Sequence, residues 1–163
     1  PDSQDICFVP DGDYANFLEQ LMGTGANEGD FVDSEGNIIG RHKGHHRYTI
    51  GQRRGLGVGF GEPRYVIKKD AQKNTVTLGR KQELYSDGFD VGELNWIAVE
   101  QLDKPMQVAV KTRYHQPEAN ATLYPCDEDR VHVEYDRLQK SPAPGQSAVF
   151  YKDDTVIGGG III

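Results

Sequence analysis

The chain has 163 residues, 37% of them hydrophobic and 19 of them glycine, and a formal net charge of −7. This length suits one large domain or two small ones, the glycines favour strands and turns over a helical bundle, and the acidity argues against a protein that coats nucleic acid nonspecifically. No apolar segment approaches the roughly 20 residues that span a bilayer, the polar start is unlike a signal peptide, and two cysteines far apart in sequence fit a reducing cytoplasm better than a disulfide framework.

The first segment, PDSQDICFVPDGDY, places Cys7 among aspartates. Acidic neighbours raise the pKa of a thiol, whereas a reactive thiolate needs nearby positive charge or a helix N-terminus. A free cysteine is most often a small buried hydrophobic residue. The residues alone leave Cys7 open between a buried structural role and a reactive thiol activated by groups from elsewhere.

The next segments predict a small α+β module followed by an all-β module, with a boundary near Leu84. DGDYANFLEQLM predicts a short helix, because Asp11 or Asp13 can cap it and apolar residues recur at helical spacing. FVDSEGNIIGRH and RYVIKKDAQKNTVTLGR predict two hairpins. After Leu84, an antiparallel barrel or sandwich is predicted by five alternating runs: VGELNWIAV, MQVAVKTRYH, ANATLYP, RVHVEYD and SAVFYKDDTVIGGG.

A basic segment, RHKGHHRYTIGQRR, occupies residues 41–54 and contains no acid. It suggests one oriented anionic partner, although a solvated basic loop fits equally well. His42, His45 and His46 invite a zinc interpretation, but neither cysteine supplies a paired ligand at structural-zinc spacing, so no metal site is predicted. The glycines of GQRRGLGVGF precede a strand rather than a helix, which predicts an extended segment rather than a nucleotide-binding loop.

Two later motifs are candidates for RNA contact. In KTRYHQ, Arg113 beside Tyr114 can bind phosphates and unstacked bases, although such clusters also arise from packing. SPAPGQ predicts a rigid turn that displays Gln146 at a barrel rim. Cys126, in YPCDEDR, has acids beside it and no basic partner nearby in sequence, so we interpret it as structural or incidental.

Five segments in order carry a family resemblance: DSQDICFV, the glycine-rich stretch ending in YTIGQRRGLGVG, YVIKKDAQKNTVTLG, VKTRYHQ and PGQSAVFYKDDTVIGGG. They resemble the tRNA-specific 2-thiouridylases, which replace O2 of the wobble uridine with sulfur. The resemblance covers only the C-terminal part of that family. It implies a mainly β fold with a short helix: residues 1–10 as the tail of an ATP-pyrophosphatase domain, residues 11–84 as a central domain and residues 85–163 as a C-terminal antiparallel β-barrel.

The same resemblance implies a mechanism. Cys7 matches the cysteine that carries a persulfide received from a sulfur-donor protein, a cysteine desulfurase or a sulfur-relay carrier. ATP, bound with Mg by the N-terminal domain, adenylates the uridine oxygen, and the terminal sulfur of the persulfide attacks C2. A second cysteine, which Cys126 does not match, then closes a disulfide with the first. The resemblance implies a cytoplasmic enzyme of which this part alone, with no cofactor of its own, is inactive.

Arg113, Tyr114 and Gln146 match family residues that contact tRNA, here the anticodon stem-loop. Arg53 and Arg54 are further candidates, for phosphate or interdomain contacts. An alternative is a noncatalytic RNA-binding β-barrel module in which Cys7 is inert. A thiol redox sensor would require a resolving cysteine near Cys7, and the sequence offers none close by.

Overall fold

The structure is a computed structural model that describes residues 27–59, 61–127 and 129–163. The chain divides into two compact units, one ending at Glu83 and the other spanning Leu84–Ile163. Cys7 and the helix predicted for residues 11–22 lie outside the described residues. In the described part, helical structure is limited to two 3-10 helices, His45–Arg47 and Lys81–Leu84. None of its helices is long and apolar enough to cross a membrane.

The first unit contains a four-stranded sheet. Its strands are β1 (Gly29–Val32), β2 (Ile38–His42), β3 (Tyr65–Asp70) and β4 (Thr75–Gly79), in the order β2-β1-β4-β3. Both predicted hairpins are confirmed, as β1–β2 and β3–β4. The sheet is completed by parallel pairing of β1 with β4, which sets Phe31 opposite Val76. Both side chains are fully buried and lie at the centre of a small apolar core.

Turn chemistry fixes the register of the first hairpin. The Asp33 carboxylate accepts hydrogen bonds from the backbone N–H groups of Glu35 and Asn37, at 3.0 and 2.8 Å. Hydrogen bonds from Asn37 also hold the pKa of Asp33 below its usual value. An aspartate that bonds to backbone groups two and four residues ahead stabilises a reversal of the chain at that point.

The second unit is a closed six-stranded antiparallel barrel, as predicted. Its strands follow the order β10-β5-β8-β7-β6-β9. They are β5 (Tyr85–Trp96), β6 (Met106–Lys111), β7 (Ala119–Asp127), β8 (Arg130–Lys140), β9 (Ser147–Lys152) and β10 (Thr155–Ile162). Alternate residues point inward, so Val131, Val133 and Tyr135 of β8 are buried. Closure leaves no open sheet edge in the barrel.

Four segments differ from the sequence predictions. β5 begins at Tyr85, before the predicted run starting at Val91, and β8 continues to Lys140, because the two strands pair with each other out to their ends. The run MQVAVKTRYH ends as a strand at Lys111. The glycine-rich segment of residues 51–59 is not extended: it turns repeatedly, with positive φ at Gly55 and Gly57.

Candidate RNA-binding surfaces

Arg113, Tyr114 and Gln146 lie at one end of the barrel. β6 and β9 are antiparallel with Lys111 opposite Val149, so the loop that follows β6 and the loop that precedes β9 leave the barrel at the same end. We call this end, formed by residues 112–118 and 141–146, the Arg113 rim. The register thus places at one end of the barrel two motifs that the sequence predicted separately, KTRYHQ and SPAPGQ.

Tyr114 is the most exposed large hydrophobic residue described, with 85% of its surface accessible. The His115 ring meets it edge-on, with centroids 4.9 Å apart, and the Lys111 ammonium lies over the ring, 5.9 Å from its centroid. An exposed aromatic ring beside cations can stack on an unpaired base while the cations attract phosphate. The loop therefore has the chemistry of a single-stranded RNA contact.

A buried hydrogen bond anchors the root of this loop. Thr112 is buried although Arg113, Tyr114 and His115 are exposed, and its side chain hydrogen-bonds to Tyr135 of β8. Burial raises the pKa of Tyr135, and the bond to Thr112 opposes that rise. A turn bond from the Gln116 N–H to the Arg113 carbonyl, 3.2 Å, closes the loop. The three exposed residues thus project from a fixed base.

Gln146 is placed differently from its prediction. Its side-chain oxygen turns back to accept the Ala143 N–H at 3.4 Å, and its backbone oxygen accepts the N–H of Ile162 at 2.9 Å. Gln146 is therefore half-buried and holds the turn against β10 rather than projecting freely. Its side-chain amide N–H groups can still donate a hydrogen bond at the rim.

Arg53 and Arg54 lie on the first unit, in a loop organised by Gln52. The Gln52 side chain accepts the Thr49 N–H at 2.9 Å and donates to the Arg54 carbonyl at 2.9 Å. Its backbone oxygen accepts the Val66 N–H of β3 at 3.0 Å. Both arginines are exposed, and among the described residues neither guanidinium has an ion-pair partner. They form a second candidate phosphate contact, on a different compact unit from the Arg113 rim.

The three histidines of the basic segment do not form a metal site. His42 is 1% exposed and uses both ring nitrogens: Nδ1 accepts the Gly44 N–H at 3.0 Å, and Nε2 donates to the Asn74 carbonyl at 3.1 Å. His45 contacts the side chain of the same asparagine. In the ranges that the structure describes, no group of three or more His, Cys, Asp or Glu side chains could hold a metal ion. His42 is a core residue of the first unit, packed on Phe31 and Tyr48.

This burial predicts a pH-dependent stability. Burial lowers the pKa of His42 below 6.5, although the bond to Asn74 partly opposes the shift. Below about pH 6.5 the unfolded chain takes up a proton that folded His42 resists, so stability is lost as the pH falls, by at most about 1.4 kcal/mol per pH unit. Urea unfolding between about pH 8 and 5 measures this loss, and His42→Gln should have a flatter profile. Equal slopes in both proteins would contradict the assignment.

Cys126 is an exposed free thiol and the penultimate residue of β7. Its Sγ lies 3.8 Å from the Tyr124 carbonyl oxygen, a weak contact within its own strand. It lies beside the β7–β8 turn, at the end of the barrel opposite the Arg113 rim. Within the barrel, Cys126 is therefore remote from the Arg113 rim.

Comparison with known proteins identifies the family. Residues 15–80 match the family described as "tRNA methyl transferase PRC-barrel domain", and residues 86–162 match "Aminomethyltransferase beta-barrel domain". The chain is 46% identical over 162 residues to the tRNA-specific 2-thiouridylase MnmA of Halothermothrix orenii and 48% identical over 162 residues to that of Acetivibrio thermocellus. The chain belongs to the tRNA-specific 2-thiouridylase family.

Each of these two alignments covers 99% of the chain and 45% of the relative. A third 2-thiouridylase, from Treponema denticola, is 48% identical over 168 residues, with 99% of the chain and 46% of the relative covered. The chain therefore spans a little less than half the length of the 2-thiouridylases that it matches.

Sequence reasoning did not identify the residues that hold the two candidate surfaces in place. Gln52, Thr112 and Tyr135 act through contacts that no motif announces. Lys111 stands three residues before Tyr114, which in a turn brings the two side chains together. That three-residue spacing was the signal from which a joint role of Lys111 and Tyr114 could have been predicted.

Proposed function

We propose that this chain is the part of a tRNA 2-thiouridylase that carries the sulfur-donating cysteine and grips the anticodon stem-loop of tRNA. The observation that carries the proposal is the identity of 46–48% to proteins named tRNA-specific 2-thiouridylase over nearly the whole chain. The exposed Tyr114 among cations on the Arg113 rim supports the RNA-binding half. The proposed tRNA thiolation takes place in the cytoplasm.

In the proposed sulfur transfer, Cys7 carries a persulfide. Its terminal sulfur, delivered by a cysteine desulfurase or a relay carrier, forms a bond to C2 of the wobble uridine, and the C2–O2 bond breaks as the adenylated oxygen leaves with AMP. A thiolate from a second cysteine of the full-length protein then attacks Cys7 Sγ, so that the product leaves with sulfur at C2 and the two cysteines remain as a disulfide. Cys7 thus provides the nucleophile, while activation of the uridine oxygen as a leaving group is a separate task.

ATP, which activates the uridine oxygen, is assigned to the part of the full-length protein outside these 163 residues. The glycine-rich segment of residues 51–59 does not fit a phosphate-binding loop, because it leads through residues 61–64 into β3 rather than into a helix N-terminus. The 163 residues alone are therefore expected to form no 2-thiouridine.

Tyr114 provides the test of the RNA contact. In the full-length protein, supplied with tRNA, ATP and a sulfur donor, Tyr114→Ala should lower kcat/KM for 2-thiouridine formation by roughly 5- to 100-fold, the range expected for one lost base stack. The loss should appear mainly in KM. Mass spectrometry of digested nucleosides measures the product.

Tyr114→Phe is the matched control, since it keeps the ring and removes only the hydroxyl, and it should stay within about twofold of the unchanged protein. An unchanged KM in Tyr114→Ala would remove the Arg113 rim from RNA binding. Absence of 2-thiouridine from the unchanged full-length protein would overturn the proposed activity.

A further inference from the structure

Lys111 is the last residue of β6 and lies directly below the exposed loop of the Arg113 rim. Its position is fixed by pairing on both sides of the strand: β6 pairs with β7, and Lys111 itself stands opposite Val149 of β9. The side chain is half-buried, and its ammonium reaches the ring of Tyr114. Lys111 is thus held more firmly than Arg113, which is exposed in the loop.

The charge of Lys111 is not neutralised by a carboxylate. Among the described residues Lys111 has no ion pair. Its ammonium lies 5.9 Å from the centroid of the Tyr114 ring. A cation over an aromatic face gains about 0.5–1 kcal/mol at an exposed site, which is too little to replace an anionic partner. The ammonium remains available to a phosphate.

The surroundings of Tyr114 also determine where a base can bind. Lys111 covers one face of the ring, and His115 approaches its edge at an interplanar angle of 84°. The opposite face is the one open to stacking, since the ring is 85% exposed. A nucleotide stacked on that face brings its backbone near the edge of the ring, within reach of the long Lys111 side chain.

We propose that Lys111 is an RNA-binding residue that contacts the backbone phosphate of the nucleotide whose base stacks on Tyr114. The inference rests on the proposed function, which makes the Arg113 rim an RNA surface. It adds Lys111, at the end of β6, to that surface. The RNA contact would then consist of the Tyr114 ring, which stacks on a base, and the Lys111 ammonium on its other face, which binds the phosphate.

Salt dependence of RNA binding tests this directly. Affinity of the 163-residue chain for an RNA hairpin with an anticodon stem-loop sequence is measured from about 50 to 200 mM salt. Lys111→Met, which keeps the apolar stem and loses the charge, should lower the slope of log affinity against log salt by about 0.7. The defect relative to the unchanged chain should therefore shrink about threefold across this range.

Two matched variants isolate the charge. Lys111→Arg should restore the slope, because a guanidinium also contacts phosphate and covers an aromatic ring. Lys152→Met removes a lysine from the far end of the neighbouring strand β9, next to the turn into β10, and should leave the slope unchanged.

The possible results distinguish failure of the Lys111 proposal from failure of the proposed RNA-binding function. If Lys111→Met weakens binding equally at every salt concentration, Lys111 only supports the ring and the inference fails while the RNA surface stands. If Tyr114→Ala binds the hairpin as well as the unchanged chain, or the unchanged chain does not bind, the RNA surface and the inference both fail.

Discussion

Replacing Cys7 by serine in the full-length protein is expected to abolish 2-thiouridine formation, a loss on the order of 10³-fold or more, because the hydroxyl cannot carry a transferable sulfur. Binding of tRNA should survive, since the proposed grip lies on the Arg113 rim. Mass spectrometry of the protein after incubation with a persulfide donor should find one added sulfur atom on Cys7 and none there in Cys7→Ser. Nucleoside analysis measures the thiolation.

Cys126→Ser is the matched control, because Cys126 is an exposed thiol at the end of the barrel opposite the Arg113 rim. It should keep activity within about twofold, as a surface substitution away from the chemistry usually does. Normal turnover by Cys7→Ser would remove Cys7 from the mechanism. If RNA binding persisted without thiolation by any form, the alternative of a noncatalytic RNA-binding barrel would hold.

The alternating strands were predictable because each barrel strand buries one face. In RVHVEYD, Val131, Val133 and Tyr135 are buried while His132 and Glu134 are not, which is the period of two that the sequence displays. The turns of both hairpins also depend on local side chains, since the carboxylates of Asp33 and Asp70 accept backbone N–H groups three or four residues ahead. These features are encoded within a few residues of one another.

Long-range pairing was not predictable in this way. The parallel contact of β1 with β4 joins Phe31 to Val76, and no local pattern distinguishes it from two independent hairpins. The added length of β5 depends on β8, whose partner residues lie far along the chain. Strand ends extend wherever a partner continues to satisfy backbone groups, and that is a property of the assembled sheet.

The candidate site shows the same division. Motifs identified Arg113 and Tyr114, but the freedom of each side chain is set by contacts across the fold. Gln146 is turned inward by the Ala143 N–H, and Lys111 is turned toward Tyr114. The proposed RNA contact on an acidic chain depends on local rather than net charge, since the Lys111 ammonium lies over the exposed ring of Tyr114.

Gly29 of β1 has no room for a side chain, and Gly29→Ala is expected to destabilise the first unit by about 2–4 kcal/mol. A methyl group at this position would lie 2.1 Å from the backbone oxygen of Asn74 and 2.7 Å from Cε1 of His42. A backbone oxygen cannot swing aside as a side-chain end can. β1 would therefore be forced from the turn between β3 and β4, and the His42–Asn74 hydrogen bond would break.

Gly40→Ala is the matched control for this prediction. Gly40 lies on the neighbouring strand β2, and an added methyl would meet only side-chain carbons at 3.5–3.6 Å, which is ordinary contact. Its effect should stay within about 1 kcal/mol. Hydrogen exchange of the β1 and β4 amides should report the Gly29→Ala defect, while fluorescence of Trp96, on β5, reports whether the barrel stays folded. Equal stability of the two variants would mean that His42 and Asn74 do not pack against Gly29. It would also contradict the buried structural role assigned to His42.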